Sequence, residues 1–230
     1  MRKFIFLLIL LLMFINGWKW STHQIMAETI AESMNLDLNI SLIKEGSIAP
    51  DKYFKDFRHH SYPGSANKSY YWLNKTIYYY GLKDINNASY SFGILTHYVS
   101  DTFAAPHTVS KEDYHLHALY EEQVSYYKPI TRCILYNFNL AEELKKSQYN
   151  KNHWHEWLKN NDKKIPQAEV EQSLKLLFPL ASYAFNKECK KDKMQIHINN
   201  TEISFKKIII LSLILVINII TFHSILRNSK

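Results

Sequence analysis

Apolar residues recur at helical spacing in several stretches of this chain. Ile25, Met26, Ile30 and Met34 share one face of a segment that opens with Ser21-Thr22, which predicts a helix from there to about Met34. An aromatic-rich helix is expected over 66–81, with Tyr70, Trp72, Leu73, Ile77, Tyr78 and Tyr80 as core or groove wall. Further helices are expected at about 84–103, 113–127, 131–147 and 167–188. In the last of these, Val170, Leu174, Leu177, Leu180 and Ala184 form one stripe. Gly46 and Pro50 mark Lys44–Asp51 as a loop, with Asp51 as a turn residue or helix cap on its own merits. A second break falls at Phe57-Arg-His59-His60-Ser-Tyr-Pro63, and the polar, Trp-flanked segment with His153 and His155 is read as surface.

Two uninterrupted apolar runs stand apart from these periodic segments. Phe4–Ile15 follows Arg2-Lys3 and is too short for a membrane span, so 1–17 reads as a signal peptide cut after Gly17. Residues 208–226 are long enough to span a bilayer, so 206–230 reads as a transmembrane helix and short tail. These readings leave 18–205 as one all-α, compact multi-helix domain. It would face outward from the cell membrane.

Composition adds three points. The 230 residues suffice for a core that needs no staples. Net charge is 28 − 21 = +7, or +5 without Arg2 and Lys3, a mild excess that suits anionic partners, whether phospholipid head groups or nucleic acid. Only 5 Gly and 6 Pro argue against a many-turned β fold. Cys133 and Cys189 fit either a pair formed outside the cell or two buried thiols.

The candidate chemistry is concentrated in 97–121. His97 and Asp101 are four apart, as are His117 and Glu121, so on helices each pair shares a face and can clamp one cation. His107 follows Pro106, a break that lets the chain turn a ring back toward such a site. Imidazole with carboxylate suits zinc better than calcium or magnesium, which prefer oxygen alone.

Taken in order, Trp18 and His23, Gly46-Ser-Ile-Ala-Pro-Asp51, a His ahead of Pro63, His97-Tyr-Val-Ser-Asp101, Pro106-His107 and His117-Ala-Leu-Tyr-Glu121 resemble the zinc-dependent phospholipase C family. Its superfamily also includes zinc-dependent single-strand nucleases. The resemblance runs from Trp18 to Glu121 and implies an all-helical domain holding three zinc ions. It places Trp18, through its amino group and carbonyl oxygen, and His23 on the first ion, with Asp101 bridging to the second. His97, Asp51 and one of His59 and His60 would complete the second. His59 is preferred because His-x-x-x-Pro63 is closer to the family's pattern. His107, His117 and Glu121 would hold the third; His115 is set aside because Leu119 lies four residues after it.

The implied activity is phospholipase C cleavage of a phospholipid to diacylglycerol and a phosphorylated head group. Asp51 would be a ligand or the general base beside the attacking water. The short 107–117 loop and Glu121 resemble the phospholipases, whereas the Trp18-to-His23 spacing resembles the nucleases, and no lipid-binding β-sandwich follows. A nuclease or 3′-nucleotidase, with Tyr70, Tyr71, Trp72 and Tyr80 stacking on bases, is the alternative reading. A non-catalytic zinc-binding membrane protein is the third.

Overall fold

The computed structural model describes residues 18–130 and 132–189. The expected signal peptide and membrane span lie outside them. Among the described residues there is no strand, and no helix is long and apolar enough to cross a membrane.

The element order is α1 (Trp20–Ser33), α2 (Ile40–Gly46), a π-turn (Pro50–Phe54), α3 (Gly64–Gly81), α4 (Ile85–Phe103), a 3₁₀ turn (Ala105–Thr108), α5 (Tyr114–Glu122), α6 (Leu140–Lys146), a second 3₁₀ turn (Ser147–Asn150), α7 (Lys151–Asn160) and α8 (Lys164–Phe185). Short polar side chains start several of them. Asn39, Asp84, Asp113 and Asn139 accept from backbone N–H groups in the first turns of α2, α4, α5 and α6.

Helix α4 is the axis of the domain. Every residue from Ser91 to Phe103 is buried, and α1, α2, α3 and α8 pack around it. A helix buried on all sides need not be apolar all round if its polar groups find partners. On α4, Thr96, Ser100 and Thr102 donate to backbone carbonyls, while His97 and Asp101 turn to the site described below. The α8 stripe is buried as its spacing predicts: Val170, Leu174, Leu177, Leu180 and Ala184 all lie in the core. Each of the four larger side chains contributes roughly 1.5–3 kcal/mol through burial.

Gly46 has a role that its loop signal conceals. A Cβ there would lie 2.2 Å from the Tyr90 carbonyl oxygen, and one on Gly93 would lie 2.2 Å from the Ile43 carbonyl oxygen. The backbones of α2 and α4 therefore touch, and Ser47 and Asp51 are brought against His97.

The structure departs from several expected boundaries. The 131–147 helix shrinks to Leu140–Lys146. Its first half is irregular chain, tied back by a Cys133–Cys189 disulfide with Cα atoms 5.7 Å apart. The expected 113–127 helix ends at Glu122. Helix α2 begins before the expected loop, and α7 forms where only a polar segment was read. There Trp154 and Trp157 are buried against Tyr120, with ring centroids 5.6 and 5.1 Å away. His155 is exposed, as expected, but His153 turns inward to Glu169.

Candidate metal centre

Asp101 sits on α4, wholly buried, with its two oxygens turned to different neighbours. Oδ1 lies 3.2 Å from His23 Nε2 and 3.3 Å from the Trp18 backbone nitrogen. Oδ2 lies 3.1 Å from His60 Nδ1, 3.3 Å from His97 Nε2 and 3.9 Å from His107 Nε2. Asp51, from the π-turn, places Oδ1 3.3 Å from His60 Nε2 and 3.6 Å from His97 Nε2. Asp51, His60, His97 and Asp101 form one group that could hold a metal ion; His107, His117 and Glu121 form a second.

The ring orientations are set from behind. His97 Nδ1 is 2.9 Å from the Ser47 carbonyl oxygen, which can only accept, so Nδ1 carries the hydrogen. Burial lowers the His97 pKa well below its ordinary value, so the ring is neutral and Nε2 presents a lone pair to the carboxylates. Ser100 Oγ donates its one hydrogen to the His97 carbonyl oxygen, so it accepts from His23 Nδ1, 3.1 Å away. That leaves Nε2 of His23 facing Asp101. Such supporting bonds are what hold metal-binding histidines in one tautomer.

The adjacent histidines divide as geometry requires. His60 is inside the cluster with its side chain 4% exposed. His59 points elsewhere, pairs with Asp56, and has a side chain 41% exposed. The Pro63 pattern favoured His59, but the turn before α3 brings His60 to the cluster instead. Asp56 also accepts from Tyr98 Oη and Lys68 Nζ. Burial opposes its charge, but the bonds from Lys68, His59 and Tyr98 outweigh that and hold the carboxyl well below its usual range.

In the second group, His117 Nε2 lies 2.6 Å from Glu121 Oε1, and His117 Nδ1 lies 3.4 Å from Glu112 Oε1. Burial lowers the His117 pKa, but Glu121 and Glu112 more than reverse it; burial raises that of Glu121. The pair therefore keeps a proton that a cation would have to displace.

Glu169, on α8, carries no ring of the site but supports two parts of it. Its Oε2 accepts from the Ala105 backbone N–H at 2.9 Å and from Tyr120 Oη, and its Oε1 is 2.9 Å from His153 Nδ1. Ala105 starts the turn that carries His107, and Tyr120 precedes Glu121 and stacks on Trp18 at 5.9 Å. Glu169→Leu orphans both buried donors, each costing about 1–3 kcal/mol. We expect the affinity of the His107 group for zinc to fall about 10–100-fold, read by competitive chelator titration, with Glu169→Gln milder. Unchanged affinity in Glu169→Leu would leave Glu169 a packing residue only.

The donor set fits zinc. Buried and without a hydrogen bond are Nε2 of His23, His60, His97 and His107, both oxygens of Asp51, and Oδ2 of Asp101. Unsatisfied polar atoms are rare in folded proteins, and so many converging on one region is the arrangement a cation satisfies. Burial, with Asp101 and Glu121 nearby, pushes the Asp51 carboxyl up to about 9; a cation would reverse that. A separate groove lies elsewhere. It has a volume of ≈ 990 Å³ between Tyr70 and Leu73, 135–140 and the end of α8, and its lining has no acidic or imidazole group.

Of the residues expected from sequence, Trp18, His23, Asp51, His97, Asp101, His107, His117 and Glu121 are brought together, and His59 is not. Ser47, Ser100, Glu112 and Glu169 were not anticipated. Only Glu169 leaves a trace, as a charged residue four before Ser173 and eight before Leu177 in a buried row.

A family model described as zinc dependent phospholipase C matches residues 22–181. No curated protein and no solved structure matches the chain. The matched span covers well over half of the 230 residues and contains every residue of the two candidate groups. With that match and this donor set, the chain belongs to the zinc-dependent phospholipase C family.

Proposed function

We propose that this domain hydrolyses the phosphodiester bond of a phospholipid, releasing diacylglycerol and a phosphorylated head group. The observation that carries the reading is Asp101, with one oxygen turned to Trp18 N and His23 and the other to His60, His97 and His107. On this reading it would be shared between two ions. Trp18, His23 and Asp101 would hold the first, and Asp51, His60, His97 and Asp101 the second. His107, His117 and Glu121 would hold a third. Bound there, zinc supplies Lewis-acid charge at the phosphoester and makes water a better nucleophile.

Asp51 divides its two oxygens between tasks. Oδ1 faces His60 and His97, and Oδ2 has no partner among the described residues. Oδ2 is therefore the atom we assign to take the proton of the attacking water. The Cys133–Cys189 disulfide supports export to an oxidising compartment. An outward-facing domain held at the membrane by 206–230 is part of the same proposal.

Zinc-loaded protein is to be assayed on phosphatidylcholine and on single-stranded DNA side by side. Release of diacylglycerol is expected, and kcat should fall about 10²–10⁴-fold in Asp51→Asn. Hydrolysis of DNA without hydrolysis of lipid would overturn the substrate assignment in favour of a nuclease.

A further inference from the structure

The seven residues that lead from Asp51 toward His60 read Lys52-Tyr53-Phe54-Lys55-Asp56-Phe57-Arg58. Tyr53, Phe54 and Phe57 are 48%, 44% and 42% exposed, high values for three aromatic side chains in one short turn. Lys52, Lys55 and Arg58 form no ion pair among the described residues; the one acid, Asp56, is turned inward to Tyr98, His59 and Lys68. The patch continues beyond the turn. Lys52 Nζ lies over the rings of Trp20 and Tyr53, Phe54 stacks on Trp72, and Tyr71 packs edge-on to Trp72. At its edge, Phe57 lies 6.3 Å from the ring of His60, so the patch borders the metal centre.

Exposed aromatics interleaved with unpaired cations are the chemistry of a surface that lies in the head-group region of an anionic bilayer. The rings enter the acyl boundary, and the ammonium and guanidinium heads meet lipid phosphates. The same composition also occurs on single-strand nucleic-acid platforms, which stack bases on open ring faces. Here one face of Trp20, Tyr53, Phe54 and Tyr71 is already covered, by Lys52, by Trp72 or by Lys75. Covered faces with exposed rims favour lipid.

We propose that residues 52–58, with Trp20, Tyr71 and Trp72, dock the domain onto an anionic phospholipid surface, with the metal centre beside the contact. This rests on the phospholipase reading for its purpose, but its test needs no catalysis. Of the five tryptophans, Trp18, Trp154 and Trp157 are buried, so quenching by lipid-borne bromine reports mainly on Trp20 and Trp72, wherever residues 206–230 reside. The full chain is to be mixed with brominated vesicles with and without phosphatidylglycerol, alongside the variant Lys52→Glu/Lys55→Glu/Arg58→Glu.

Quenching is expected only on the anionic vesicles, weakening with salt, with a partition about 100-fold lower in the variant. Equal quenching on zwitterionic vesicles, or in the variant, would overturn the proposal. So would absence of quenching with tight single-stranded DNA binding that the variant loses, which would make this a nucleic-acid surface. Diacylglycerol release from a dispersed short-chain phospholipid tests the activity separately: release without quenching sinks the docking alone, and quenching without release sinks the phospholipase reading alone.

Discussion

Asp101→Asn will strip at least one zinc from the protein and lower phospholipid turnover by at least about 1,000-fold. The substitution keeps the volume of a side chain that is wholly buried in α4. It replaces a carboxylate whose two oxygens face two sets of nitrogens with an amide that has one acceptor oxygen and one NH₂ group. Whichever way the amide turns, NH₂ points at either the His23 and Trp18 side or the His60 and His97 side, where a cation would be repelled. Burial disfavours the charge on Asp101, but His97, His23 and His60 more than compensate and hold the carboxyl well below its ordinary range. The charge lost is therefore one the wild-type fold keeps at every physiological pH. Native mass spectrometry gives the zinc count and circular dichroism the helical content. A variant with wild-type zinc and wild-type turnover would show that Asp101 bridges nothing.

On the proposed reading, in a chain cut after Gly17, one extra residue ahead of Trp18 is expected to cost one zinc and most activity. The Trp18 nitrogen is 3.3 Å from Asp101 Oδ1, beside His23. It can be a ligand only as a free amine, because an amide nitrogen binds metals poorly. With the insertion, only His23 and Asp101 remain for that ion. The indole has its own task. It is fully buried, donates from Nε1 to the Ser100 carbonyl oxygen at 3.1 Å and stacks on Tyr120. Trp18→Ala should thus cost about 3–5 kcal/mol of stability, whereas the insertion should cost metal without that loss.

The pH dependence follows from the same chemistry. An α-amine holds its proton up to about pH 7.7–8.0, and zinc must displace it. Asp51 has a folded pKa raised from 3.8 to about 9. Without metal its stabilising contribution is complete below about pH 4 and is lost as pH rises toward about 9. As pH rises zinc has fewer ligand protons to displace, so the gain in Tm from zinc should widen from about pH 5 to about pH 8. N-terminal sequencing gives the direct check. A chain beginning at Trp20, or one retaining its leader, would rule out the amine ligand.

What the sequence determined by itself is what depends on local spacing. His97 with Asp101 and His117 with Glu121 lie on helices, where i and i+4 share a face, so their pairing needed no tertiary information. The α8 stripe and the all-helical class were legible for the same reason. The tertiary structure decided what depends on where separate elements meet. It selected His60 over His59, because the turn ahead of α3 aims one adjacent ring inward and leaves the other on Asp56. It closed the Cys133–Cys189 bridge across 56 residues and undid the first half of the expected 131–147 helix. It also supplied the carbonyl of Ser47 and the hydroxyl of Ser100, which have no sequence signature, and the carboxylate of Glu169, whose only trace is a charge in a buried row. Each acts by completing a hydrogen bond to a group that is distant in sequence, and only contact between packed helices can bring such a pair together.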